Sequence, residues 1–513
     1  MKRLVVLGLD GADWRIINPL VAEGALPNFA RMISEGSHAN LRSTIPALTA
    51  PAWTSIFTGV NPGKHGIFDF FSLSGGRFGL TGTADNFAPY LWEMMPDERH
   101  IAFNIPWCYP PRPCGNAVIV SGLGAPSQRH PFAHPPRVRD EILRLIPDYG
   151  FKPAGGDSDV HEGAAGKEKA AGPIMKSLRD KMNAARHLLG GREWESAIVV
   201  FSETDWMQHI FMHEFNRAEL KSRTEVGAVY IEIDSFLGSL IEKYDILIVS
   251  DHGFEEAERR FFINSFLLRK GLLRLRRERL HKRVFRSLGL FRDSLTKRMP
   301  KSAYRFAHPN SVLSVAGALL PPRTFSAADI DHAASDAFLV YSSGGVFVRE
   351  GVDISAIIAA LESASDETGF RPVERVLRRE QIYSGAAVPG APRLQLVPAR
   401  GCLFMSSLAP ELSKTIDPIR ERNGTHGRLG IFLSHGPGFR ALGDLGERSL
   451  LDVAPTVLSY FGYSAPEYSD GKALPVVGGG GKPVSLSART KFALRSLLAG
   501  KGEGGQGRKR GLG

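Results

Sequence analysis

The sequence predicts an α/β fold, a doubly wound and mostly parallel sheet with an inserted α+β cap, and three observations lead there. Short β-branched runs ending in polar residues recur as RLVVLGLD (3–10), NAVIVSG (116–122), SAIVVFSETD (196–205) and YDILIVSDHG (244–253). Helical patterns lie between them, among them PNFARMISEG (27–36) and AVYIEIDSFLGSLIEKY (228–244). Strands apolar on both faces and alternating with helices belong to a buried parallel sheet. The third observation is an interruption: the style changes after His252 and returns in GRLGIFLSHGPGF (427–439) and LLDVAPTVLSYFG (450–462), which predicts a core discontinuous in sequence.

Taken in order, residues 1–255 read as the first part of a catalytic core. Ligands of such sheets sit at the carboxyl ends of the strands, and Asp10, Asp205 and Asp251 fall at or just past such ends. Residues 256–400 read as the insertion, a basic segment followed by an α+β cap with DAFLVYSSGGVFVRE (336–350) and ISAIIAALESA (354–364). Residues 401–490 return to the core. The last stretch, 491–513, is a Gly-rich basic tail whose composition predicts disorder. Two glycine clusters read as ordinary loops: VVGGGGKP (476–483) has Pro where a phosphate-binding loop needs Ser or Thr, and SGLGAP (121–126) lacks a third glycine.

An apolar fraction of 43% with 23% charged residues in 513 excludes a disordered or fibrous chain. The opening MKRLVVLGLDGADW breaks its apolar run at Asp10 with no cleavage site after it, so no secretory signal is expected. No later segment approaches the roughly 20 apolar residues of a membrane span. Cys108, Cys114 and Cys402 lack metal or redox spacing, which predicts inert thiols in a reducing cytoplasm.

The net charge of +11 is local: 14 Lys and Arg stand between Arg269 and Arg305 against Glu278 and Asp293, leaving the rest near neutral. Three readings of 269–305 stay open: a solvated helical face, an amphipathic segment on an anionic membrane surface, or a lid that brings arginines to a phosphorylated small-molecule substrate. No nucleic-acid-binding motif accompanies it.

LTAPAWTSIFTG (48–59) sets Thr49, Thr54, Ser55 and Thr58 among apolar residues, and spacing alone does not separate a nucleophile from helix-lining hydroxyls. Asp205 and His209 in DWMQH share a helix face. The adjacent Asp251 and His252 of SDHG stand at a buried strand end, where they have no packing purpose, and His426 in GTHG completes the set. Three carboxylates and three histidines delivered to one sheet edge make a mixed oxygen and nitrogen environment suited to Zn²⁺ or Mn²⁺. Two such ions together suit displacement at phosphorus.

In this order (Asp in LDG, Thr in TAPAWTSIFTGVNPGKHGI, then DWMQH, DHG, and a late HG before GPGF) the chain resembles the alkaline phosphatase superfamily. It is most similar to the branch of type I phosphodiesterases and nucleotide pyrophosphatases and of predicted phosphohydrolases or phosphomutases, over residues 1–255 and 400–475. The resemblance implies an alkaline-phosphatase-like core with two divalent ions, Zn²⁺ first and Mn²⁺ next. Asp205, His209 and His426 would bind one ion, and Asp10, Asp251, His252 and the Thr49 hydroxyl the other. It makes Thr49 the nucleophile and leaves Thr54, Ser55 and Thr58 lining the helix behind it.

One position departs from that pattern. HGIFDFF places Phe70 where nucleotide pyrophosphatases carry a phosphate-binding asparagine, which leaves phosphate contact to Lys64 or an arginine of the cap. His65 reads as a structural residue. The expected function is a metal-dependent phosphohydrolase of phosphodiester or pyrophosphate bonds acting through phosphothreonine. A phosphomonoesterase or cofactor-independent phosphomutase shares the same ligands, and a non-catalytic scaffold docking through 269–305 is the reading from another class.

Overall fold

Val5, Leu7 and Leu9 of β1 (Leu4–Leu9) pack on one side of a central sheet, Leu4 and Val6 on the other, because successive strand side chains face opposite ways. Both sides are therefore covered. The computed structural model describes residues 2–74, 77–151, 164–276, 330–366, 368–409 and 411–484. Most of the basic segment, 277–305, and the tail 491–513 lie outside the described residues.

The other strands of the sheet are β2 (Ser37–Arg42), β3 (His100–Ile105), β4 (Ala117–Ser121), β5 (Ala133–His134), β6 (Ser196–Phe201), β7 (Asp245–Val249), β8 (Leu429–His435) and β9 (Gly443–Ser449). Their order is β9-β2-β8-β7-β1-β6-β3-β4-β5. From β7 to β4 neighbours run parallel, while β8 and β5 enter antiparallel. This is the mostly parallel α/β core that the alternating pattern predicts.

Helices α1 (Trp14–Ala22), α2 (Pro27–Glu35), α4 (Ala164–Gly190), α5 (Glu203–Arg217) and α6 (Glu225–Gly238) cover one face. On the other, α3 (Thr49–Thr58) and α7 (Val453–Tyr460) bury Trp53, Phe57 and Val457, each fully buried apolar side chain contributing about 1.5–3 kcal/mol. All ten residues of α3 are buried. Its proline, Pro51, is tolerated in the first turn, where no amide partner is needed. Gly59 ends it in the left-handed region at φ 71°, a conformation glycine adopts without steric cost.

Three hydroxyls of α3 are engaged locally. Thr54 and Thr58 donate back to the carbonyls of Ala50 and Thr54 at 2.8 and 2.7 Å. Ser55 meets Nε2 of the buried His65 at 2.9 Å, whose Nδ1 accepts the Ile67 amide. His65 thus donates to Ser55 and serves as a structural joint.

A third hydrophobic cluster stands apart from the main sheet. It gathers Phe338, Leu339, Val346, Leu361, Leu394 and Leu396 around a four-stranded sheet and the helix Ile354–Glu362. A smaller sheet joins Arg259–Phe262 to Cys402–Met405 and Ser413–Thr415, and the main sheet takes up the chain again at Leu429. No helix among the described residues is long and apolar enough to cross a membrane.

Candidate active site

Neighbouring parallel strands end at one edge of the sheet, and three chain segments leave β1, β6 and β7 there. Asp10 follows β1, Asp251 and His252 follow β7, and Asp205 stands in the first turn of α5, just after β6, with His209 one turn on. Thr204 binds the Asp10 carbonyl at 2.5 Å, and the Gly11 amide donates to Asp251 Oδ1 at 3.1 Å, so the three segments are joined by their own polar groups. His426 arrives differently. Its strand, Gly424–Gly427, pairs antiparallel with Gly253–Glu256, which sets His426 opposite Phe254, two residues past His252.

The six side chains form two trios. In one, Asp205 Oδ1 lies 3.4 Å from His209 Nε2 and 3.3 Å from His426 Nε2, with the two imidazole nitrogens 3.1 Å apart. In the other, His252 Nε2 lies 3.6 Å from Asp10 Oδ1 and 3.2 Å from Asp251 Oδ2. The rings of His252 and His426 stack at 3.8 Å between centroids, so the trios are neighbours.

Each histidine is turned by a backbone carbonyl. Nδ1 of His209, His426 and His252 lies 2.9, 2.9 and 3.0 Å from the oxygens of Gly424, Ala47 and Gly253. A carbonyl can only accept, so Nδ1 carries the proton and the Nε2 lone pair faces inward, the orientation a metal ligand needs. Two inward lone pairs 3.1 Å apart repel unless a cation lies between them.

The donor set fits divalent metal. Both oxygens of Asp10, Oδ1 of Asp205, Oδ2 of Asp251 and Nε2 of His252 are buried without a hydrogen-bond partner, and such atoms are costly unless satisfied. A tetrahedral ion with ligand bonds of about 2.0–2.1 Å separates its donors by about 3.3–3.4 Å, close to the spacings within each trio.

Electrostatics point the same way. Burial, with the charges of Asp251 and Asp205, drives Asp10 well above the ordinary carboxylate range, and burial pushes Asp251 up to about 7. Burial lowers His209 to about 4 and His252 well below the usual imidazole value. Burial is the largest single influence on His426, but the carboxylates of Asp205 and Asp251 and the Ala47 carbonyl together outweigh it and raise it. Burial also works against ionised Asp205, but its histidine neighbours together outweigh that and hold it low. Three buried carboxylates so placed are strongly repulsive without added positive charge.

Asp205, His209, His426 and Thr49 line one cavity of about 1200 Å³. Thr49 is the first residue of α3 and is buried, and the loop before it accepts His426 through Ala47. The first turn of a helix leaves amide groups without helical partners, which suits an anion.

Lys64 is committed elsewhere: it binds Asp470 at 2.5 Å and the Tyr468 carbonyl at 2.8 Å and is not among the cavity's lining residues. Phe70 lines the cavity, as do Arg260, Arg400, Arg422 and Arg428. Cys402 lines it too, with burial raising its thiol to about 12, far from a reactive thiolate.

Sequence reading missed the supports. Gln208 donates to the Gly11 carbonyl at 2.9 Å and accepts from Tyr230 at 2.7 Å, tying α5 to the Asp10 turn. Asn423 gives its amide to the His209 carbonyl and accepts the His213 amide, each at 3.0 Å, which joins His209 to the strand of His426. Gln208 stands inside DWMQH, and its place between the candidate ligands Asp205 and His209 was the available signal.

A model of the family described as type I phosphodiesterase / nucleotide pyrophosphatase matches residues 4–428. No curated protein matches the sequence. Among solved structures, phosphonoacetate hydrolase from Sinorhizobium meliloti 1021 aligns with a TM-score of 0.54 and 16% identity over 88% of this chain and 94% of its own. Murine ectonucleotide pyrophosphatase / phosphodiesterase 5 aligns with a TM-score of 0.47 and 13% identity over 93% and 98%. The first of these shares the fold.

Proposed function

This chain belongs to the type I phosphodiesterase / nucleotide pyrophosphatase family and is a hydrolase of phosphoric esters, and on that premise we propose that it cleaves phosphodiester or pyrophosphate bonds through a phosphothreonine at Thr49. The observation that carries the reading is the pair of trios with five unsatisfied buried donor atoms beside the cavity that Thr49 lines. Two divalent ions, Zn²⁺ first and Mn²⁺ next, would be held by Asp205, His209 and His426 and by Asp10, Asp251 and His252, and when bound they supply charge that lowers a hydroxyl pKa and offsets the charge of phosphate oxygens.

The chain's own groups do the rest. Thr49 Oγ1 forms a bond to phosphorus while the bond to the leaving oxygen breaks, and its proton passes to water in the open cavity. The first turn of α3 directs its field at the phosphate. In the second half, water oxygen bonds to phosphorus, the bond to Thr49 Oγ1 breaks, and a proton of that water restores the hydroxyl. The cap arginine Arg400, which lines the cavity, stands in for the missing asparagine as a phosphate contact, since Arg260 is held by Glu421 at 2.7 Å.

Thr49→Ala tests this directly. Hydrolysis of bis(p-nitrophenyl) phosphate with Zn²⁺ or Mn²⁺ is expected to fall at least ~1000-fold, with metal content and melting temperature kept. Diester cleavage that survives the substitution removes Thr49 as nucleophile, and preference for p-nitrophenyl phosphate over the diester moves the chain to the monoesterases.

A further inference from the structure

We propose that the site takes an amphiphilic phosphoester, one whose leaving or retained group is a single long alkyl or acyl chain lying along the apolar wall of the cavity. This rests on the reading of the site as a phosphoester hydrolase and names its substrate class.

The cavity's size is the first observation. Its volume of about 1200 Å³ exceeds the roughly 300–1,000 Å³ of ordinary small-ligand pockets. The second is a cluster of exposed apolar side chains. Phe71 and Leu80 face one another across the short hairpin of Phe71–Ser74 and Arg77–Leu80, so they share one face. They are 37% and 55% exposed, and Tyr341, 36% exposed, packs against Phe71 at 5.8 Å. All three line the cavity. Large apolar side chains left open to solvent together mark a binding surface.

Charge is arranged to match. Six cations, Lys169, Arg260, Arg400, Lys414, Arg422 and Arg428, line the same cavity against four acids, Asp205, Glu255 and Glu374 of the lining and Glu421, which pairs with both Arg260 and Lys414, while Glu374 pairs with Arg428. A phosphate head held at Thr49 meets this positive excess while a chain attached to it meets the apolar wall. An amphiphile fits both.

A nucleotide fits less well. Phe70 packs against Trp107 at an interplanar angle of 46° and against Tyr341 at 88°, so these rings touch each other and no pair of them offers parallel faces to a planar base. None of the described lining residues is Asn or Gln, the side chains that read base edges with paired donors and acceptors.

The test is calorimetric binding of ethyl-, hexyl- and decylphosphonate, kept below micelle formation, and of adenosine 5′-monophosphate to the Zn²⁺-loaded full chain. Each buried methylene is expected to raise affinity about threefold to fourfold, so decylphosphonate binds at least ~100-fold more tightly than ethylphosphonate. Phe71→Ser with Leu80→Ser is expected to cost at least ~10-fold for decylphosphonate, while Leu145→Ser, another exposed apolar site, changes nothing.

A flat series, tighter binding of the nucleotide, or an unchanged series in the double variant overturns the proposal. Hydrolysis of p-nitrophenyl decyl phosphate, measured beside it, separates the two readings. A steep binding series with no ester cleaved leaves the chain-binding wall in place and removes the hydrolytic mechanism. A flat series with cleavage of short diesters does the reverse.

Discussion

Asp10 keeps both carboxylate oxygens unbonded beside Asp251 and Asp205, so Asp10→Asn removes a buried negative charge that no protein group satisfies. The sign of its effect therefore depends on metal. In chelated protein at pH 8 the variant is expected to melt roughly 2–6 °C higher than the parent, since a like-charge clash is gone. With Zn²⁺ present the order reverses, because the parent gains binding energy that the variant has lost. Thermal scans with and without chelator check both halves, and a variant less stable under both conditions contradicts the assignment of Asp10 to a cation site.

Helix α5 carries two of the proposed ligands, Asp205 and His209, on one face, and its setting depends on contacts made by the face that bears Gln208. Gln208→Leu leaves the Gly11 carbonyl and the Tyr230 hydroxyl unpaired, at a cost of about 1–3 kcal/mol. Metal titration is expected to show affinity weakened ~10- to 100-fold, the usual effect of losing a group that orients ligands. A normal titration with lowered stability would make Gln208 merely structural.

At this scale the sequence was informative where chemistry and strand ends coincide. Asp10, Asp205, Asp251 and His252 were legible because each follows a β-branched run, and His209 because of its helical spacing from Asp205. His426 carried no local signal: its position comes from the pairing of 424–427 with 253–256, a contact between segments far apart in the chain. The apolar wall was illegible for a related reason, since Phe71, Leu80 and Tyr341 meet only when a hairpin of the core touches the inserted sheet.

That junction shapes the behaviour of the whole molecule. Asp69, which is buried, accepts a hydrogen bond from Ser343 of the inserted segment, and Tyr383 reaches the Ile45 carbonyl at 2.6 Å. Burial raises Asp69 to about 6. A carboxyl raised above its unfolded value of about 3.9 stabilises the fold fully only below that value, and the contribution is lost as pH rises through 6, up to about 3 kcal/mol in all. Asp69→Asn is thus expected to flatten the fall in melting temperature between pH 4 and 7 relative to the parent. Parallel pH curves for the two proteins would show that Asp69 does not titrate in that window.

The pairing that brings His426 to the site also has a consequence in time. Asp10, Asp251 and His252 are all synthesised before residue 253, whereas Asp205 and His209 must wait about 170 residues more for their partner. At a synthesis rate of about 5–20 residues per second, that delay is roughly 10–35 s. The donor groups of the two trios are therefore made in a fixed order on the growing chain, the fully buried trio first, and the trio next to the open cavity has its last member only after the whole insertion has been made.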